Sequence, residues 1–196
     1  MNQRTILAML ALAATLAGCA GSDFVRPAEG LLVVGKSTTA DVTARMGAPM
    51  QTGELTKNDK KLKLYRYAYA STGGESAHPG VTPARSMAFS FHEDKLVSQE
   101  FVSSFKQDSS DFDSNKMSAI VKGKSTRDEV IALLGRPAGE AVYPIIKGQT
   151  DKALVYSYTH AKGSVFNMKF YSKILIVSFN NQGIVSDIEF TTAGDQ

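Results

Sequence analysis

The chain has 196 residues, with 22 Lys and Arg against 19 Asp and Glu, a formal charge of +3, a single Cys and no Trp. So small a surplus of positive charge does not supply the electrostatic footprint of a nucleic-acid binder, and a lone thiol excludes an intrachain disulfide framework. The length suits one compact domain or two small ones.

The N-terminus places Arg4 ahead of an apolar run over 6–16 and then small residues, the order of a secretory signal peptide, read here as 1–18. The run is too short to span a bilayer. It ends in Leu16-Ala17-Gly18-Cys19, which resembles the bacterial lipobox, so Cys19 is the expected lipidation site and the first residue of the mature chain. Losing Arg4 with that segment leaves 21 basic against 19 acidic residues. Buried acyl chains contribute about 0.8 kcal/mol per methylene, enough for them to anchor the protein without help from the body. Ala20-Gly21 lacks the Asp that usually retains a lipoprotein at the inner membrane. The expected location is therefore the outer membrane, lipid-anchored and facing the periplasm. Residues 19–29, with Pro27, read as a polar tether.

Residues 35–49 return 88 positions later as 123–137, with eight of fifteen pairs identical and no gap. The chain contains one unit twice, over 30–106 and 115–196, joined by a Ser- and Asp-rich linker over 107–114. Thr38 with Asp41, and Thr126 with Glu129, have capping-box spacing. Gly47 and Gly135 can take a left-handed cap, and Pro49 and Pro137 prevent continuation. Val42 and Met46, like Val130 and Leu134, lie one turn apart and give each short helix an apolar edge. A preceding helical turn is expected over 115–121, and less clearly over 28–34.

Alternating strands follow. Leu64-Tyr65-Arg66-Tyr67-Ala68-Tyr69 is set against Val155-Tyr156-Ser157-Tyr158-Thr159-His160, and Met87-Ala88-Phe89-Ser90-Phe91 against Leu175-Ile176-Val177-Ser178-Phe179. Tight turns at 92–95 and 180–183 lead into Leu96-Val97-Ser98 and Ile184-Val185-Ser186, as in hairpins. The expected fold is α+β: two tandem units, each two short helices packed on a three-stranded antiparallel sheet.

Gly30-Leu31-Leu32-Val33-Val34-Gly35-Lys36-Ser37 fits the P-loop spacing. Its bulky, β-branched interior suits no phosphate nest, and the second copy replaces the leading Gly with Ser118, so helix capping is the reading and no nucleotide is expected. His78, His92 and His160 have no metal-ligand spacing. Neither a nucleophile elbow nor a free thiol is present, so no catalytic residue, metal or cofactor is assigned. Tyr65, Tyr67 and Tyr69, like Tyr156, Tyr158 and His160, line one strand face, either as core or as a binding platform. The greasy connection over 163–173 is the stronger interface candidate. Its Val165, Phe166, Met168, Phe170 and Tyr171 occupy the place of the polar 73–85 loop of the first unit, which contributes His78 and Val81 as further partner-binding candidates. The alternative is that Phe166, Met168 and Phe170 extend the preceding strand into a hairpin buried between units.

The string Gly-Lys-Ser-Thr-x-x-Asp/Glu-Val-x-x-x-Met/Leu-Gly-x-Pro, then Tyr-x-Tyr, then Phe-Asn-Asn-Gln-Gly-Ile-Val-Ser-Asp-Ile resembles the BamE (SmpA/OmlA) family of outer-membrane lipoproteins, as does His78-Pro79-Gly80-Val81-Thr82. Doubling of the unit is similar instead to the beta-lactamase-inhibitor-protein architecture, although that group generally carries disulfides. These resemblances imply a non-enzymatic envelope scaffold that binds a protein partner, such as the outer-membrane barrel-assembly machinery. They imply as alternatives an inhibitor of a periplasmic hydrolase or a small-ligand-binding lipoprotein.

Overall fold

A computed structural model describes residues 21–164 and 166–194. Cys19 and Val165 lie outside them. Within them the chain forms one eight-stranded sheet in which sequence order and spatial order coincide, and every neighbouring pair is antiparallel. The strands are β1 (Gln51–Lys57), β2 (Lys60–Ala70), β3 (Ala84–His92), β4 (Lys95–Ser103), β5 (Gly139–Val142), β6 (Lys152–Ser164), β7 (Asn167–Phe179) and β8 (Val185–Gly194). Helix α1 (Thr39–Met46) precedes the first four strands, and a 3-10 turn (Ser114–Ala119) with α2 (Arg127–Leu134) precedes the last four.

This corrects the expected pair of separate units, each with two helices on three strands. Each half has one α-helix and a four-stranded meander, and β4 pairs with β5 through Ser98–Ala141, Gln99–Glu140 and Glu100–Gly139. The fourth strands escaped notice because they carry little apolar alternation: β1 is exposed at six of its seven positions, and β5 has only four residues. Separate halves would leave the facing edges of β4 and β5 unpaired. Joining them over three residue pairs makes one sheet.

Duplication survives in the hydrogen bonds. Thr38 and Thr126 close true capping boxes with Asp41 and Glu129. Ser37 Oγ accepts from Val33 N and Ser125 Oγ from Val121 N, both at 2.9 Å. Gly35 donates to the Leu96 carbonyl and Gly123 to that of Val185, so the Gly-Lys-Ser-Thr string is tied to the sheet and starts a helix. The Tyr67 hydroxyl donates to the Gly47 carbonyl (2.9 Å) and the Tyr156 hydroxyl to that of Gly135 (3.2 Å). Tyr156 is therefore the counterpart of Tyr67, two residues away from the alignment that pattern alone suggests. Three tyrosines at period two can slide by one repeat without changing face, and only the hydroxyl's partner fixes the register.

Both helices lie on one face, the front, because Phe89, Gln99, Glu140 and Leu154 stand in successive register across the sheet beneath them. Val42, Tyr67, Phe89 and Phe101 centre the first half's core, and Val130, Tyr156, Leu175 and Val177 the second's. The tyrosine faces are mainly core: Tyr67, Tyr156 and Tyr158 are all buried. On the back face, Ala153, Val155, Ile174 and Ile176 are covered by Ile145 and Ile146, and Asn58 at the β1–β2 turn donates to the Pro144 and Ile146 carbonyls.

Candidate functional site

Three features on this frame could meet another molecule: a polar cluster under the 71–83 loop, a ribbon formed by β6 and β7, and a furrow between the halves.

The cluster grows from a second, unread repeat. Asp23-Phe24 recurs as Asp111-Phe112, and Arg85 as Lys173, each 88 positions on. In the first half Arg85, buried in β3, lies 3.6 Å from Asp23 and 3.3 Å from Asp108, donates to the Phe24 carbonyl, and sits over the Phe105 ring. In the second half the buried Lys173 Nζ lies 2.7 Å from Asp111 Oδ1, donates to the Phe112 carbonyl, and rests 4.6 Å from the Phe112 ring. A buried cation thus pins the chain entering each half onto its sheet. Such a cation is tolerated because carboxylate, carbonyl and ring together replace its water.

The second clamp alone recruits a histidine. His78 Nε2 lies 2.7 Å from Asp111 Oδ2, and its ring stands edge-on to Tyr158 at 5.8 Å. Burial pushes the Asp111 carboxyl up, yet the hydrogen bonds from Lys173 and His78 outweigh it and hold the group below its ordinary range. Tyr158 is pushed up to about 12 by burial and then by the Asp111 charge. His160 is lowered by burial, then by His78 and Lys162. The His–Asp pair joins the two halves. It seats the first half's loop on the second half, and Val81, buried, continues that contact by bridging to Lys162 while Thr82 N donates to the Ala161 carbonyl at 2.9 Å. His78 and Val81 thus brace the base of the ribbon.

The ribbon comprises β6 and β7 beyond Tyr171–Gly194, the last β7–β8 pair among the described residues. The 163–173 segment extends the preceding strand into a hairpin, with Lys162 opposite Lys169 and Gly163 opposite Met168, but Phe166, Met168 and Phe170 are not buried between halves, which corrects that part of the alternative reading. Phe166 is 100 % exposed, Phe170 61 % and Met168 40 %, whereas Tyr171 is half-buried with its ring 5.4 Å from that of His160.

The furrow crosses the front face between the halves. A cleft of ≈ 510 Å³ is lined by Arg26, Leu32, Val33, Ile131 and Arg136 among others, and a second of ≈ 440 Å³ shares Val33, Arg127 and Glu140 with it. Arg127 pairs with Glu140 (3.1 Å) and Arg136 with Glu29 (3.4 Å). Arg26 crosses from the N-terminal segment to donate to the Pro137 and Ala138 carbonyls, and lies 5.3 Å from the Phe101 ring. Burial, then the neighbouring Arg136, lowers its guanidinium to about 10. Arg26 lies in the stretch read as a tether, which is held against the body here. Sequence reasoning missed the furrow because its wall residues come from both repeats and meet only once β4 pairs with β5. The clamps were findable, since their Asp-Phe and Arg/Lys positions repeat at the same 88-residue interval as the helices.

Neither a protein-family model nor a curated protein matches this chain, so the resemblance to the BamE family finds no support. Among solved structures, a Streptococcus mutans chain described as a "putative beta-lactamase inhibitor protein" aligns over 92 % of this chain and 96 % of its own, at 9 % identity and a TM-score of 0.41.

Proposed function

We propose that the protein is a non-enzymatic, lipid-anchored component of the cell envelope, facing the periplasm from the outer membrane, and that it binds a protein partner in the furrow between its halves. The carrying observation is the furrow itself. It is a continuous depression with Leu32, Val33 and Ile131 along it and arginine–glutamate pairs at its margin. An apolar centre with a charged rim is the usual anatomy of a protein interface. Three guanidiniums against two carboxylates favour a partner with an acidic surface.

Crosslinking of intact envelopes followed by affinity capture tests the reading, with the barrel-assembly machinery as the first partner to probe. Val33→Glu with Ile131→Glu should abolish recovery of a specific partner while leaving the circular dichroism of the protein unchanged. Recovery of no specific partner, or undiminished recovery with the double variant, counts against it. Assays on β-lactamases and lysozyme-type hydrolases divide the reading further: a scaffold inhibits neither, whereas inhibition lost in the same variant would make the partner a hydrolase.

A further inference from the structure

The ribbon and the chain's N-terminal side emerge at the same end of the sheet. β2 finishes there at Ala70, β4 at Ser103 and β6 at Ser164. Gly21 lies against that end: a Cβ built on it would fall 2.0 Å from the Ala68 carbonyl oxygen and 3.5 Å from the sulfur of the exposed Met50. It also shares a cavity of ≈ 230 Å³ with Thr159, one residue before His160. Cys19 is two residues from Gly21, so the chain between them spans at most about 7 Å. An acyl group on Cys19 therefore holds this end of the sheet at the bilayer. From the Val81–Lys162 brace to Ser164 the ribbon runs on by about 7 Å, at about 3.3 Å per strand residue. The ribbon thus projects from the same end of the sheet as the one Gly21 lies against.

The composition of the tip matches a bilayer interface. Phe166, Met168 and Phe170 expose apolar surface, and no acidic residue occurs over 160–173. Lys162 stands exposed on the ribbon, where its stem can lie along apolar side chains while the ammonium group stays at headgroup level. A lysine so placed is also drawn to anionic lipid.

We infer that the tip of the β6–β7 ribbon inserts into the interface of the bilayer that holds the protein's own lipid anchor, a second attachment that fixes the orientation of the body. The inference rests on acylation of Cys19, which is part of the function proposed above. Two attachments at one end leave the furrow between the halves for the protein partner.

Because the chain has no Trp, Phe166→Trp introduces a single fluorescent reporter. In the full lipidated protein reconstituted into phosphatidylethanolamine–phosphatidylglycerol vesicles, its emission should shift to the blue and be quenched by brominated acyl chains but not by aqueous iodide. Asn181→Trp, on the β7–β8 turn at the opposite end, should report water throughout. Phe170→Trp repeats the measurement should the first variant disturb the hairpin. Emission at position 166 indistinguishable from that at 181, or a shift that requires added envelope protein, overturns the inference, the second result making the ribbon a protein contact instead. Incorporation of labelled palmitate separates the two readings: none would remove the anchor and the ribbon inference together, whereas labelled protein with an aqueous reporter at 166 removes the ribbon inference alone.

Discussion

At the scale of the residue, Asp111 ties a buried cation of the second half to a loop of the first. It neutralises Lys173 inside the sheet and holds His78 on the surface. Asp111→Asn leaves a buried ammonium with a carbonyl and a ring as company, and should cost about 3 kcal/mol of unfolding free energy in urea titrations, the range seen when one partner of a buried pair is removed. Replacing both charges, with Lys173→Met added, should recover much of that loss. Two groups around this clamp contribute to the acid limb. The folded Asp111 value lies below its unfolded one, so its contribution is complete above about pH 4 and lost as pH falls through the folded value. His160 is also depressed, so its contribution is complete above about pH 6.5 and fades as pH falls toward its lower folded value. Urea midpoints followed from pH 7 downward should decline first in that upper window, and His160→Phe, which also removes a buried ring nitrogen with no hydrogen-bond partner among the described residues, should flatten the decline. Helix starts were readable at this scale because a capping box is local: Thr38 and Thr126 need only the residue three positions on.

At the scale of the element, the seam between β4 and β5 decides whether there are two folds or one. Gly139 sits there with no room for a side chain, since a Cβ would lie 1.7 Å from the Gln99 carbonyl oxygen. Gly139→Ala should therefore destabilise the protein by about 3 kcal/mol, and hydrogen exchange should show amide protection falling in both β4 and β5. No periodicity announces that requirement, because the colliding oxygen belongs to the other repeat. The ribbon behaves in the opposite way. Its strands were partly legible from alternation after Val155, but the sequence left open whether Phe166, Met168 and Phe170 were core or surface. Phe166, Met168 and Phe170 lie beyond the last residues that β5 and, among the described residues, β8 pair with β6 and β7.

For the whole molecule, the consequence of one sheet is one cooperative unit. The halves share backbone pairing at 98–100 with 139–141, Arg26 reaches from the first half's leading segment to the second half's Pro137 and Ala138, and the 71–83 loop is fastened to Asp111 and Lys162. Calorimetry should show a single transition whose van't Hoff and calorimetric enthalpies agree. Two resolved transitions would mean that the seam and these ties contribute little. The β4–β5 pairing and Arg26 also line the furrow, so on the function proposed above a change that separates the halves should remove partner binding and cooperativity together.

The sequence by itself determined what depends on near neighbours: the duplication, the two capped helices, the helix-start reading of the Gly-Lys-Ser-Thr string and the hairpins of the last two strands in each half. Only the tertiary structure decided the pairing of β4 with β5, the counterpart of Tyr67, the burial of Arg85 and Lys173 beside their aspartates, and the exposure of the ribbon. Capping and alternation are satisfied within a few residues, so they leave a mark that can be read along the chain. A strand edge, a buried charge and a furrow are satisfied by partners tens of residues away, and the pattern is the same whichever partner arrives.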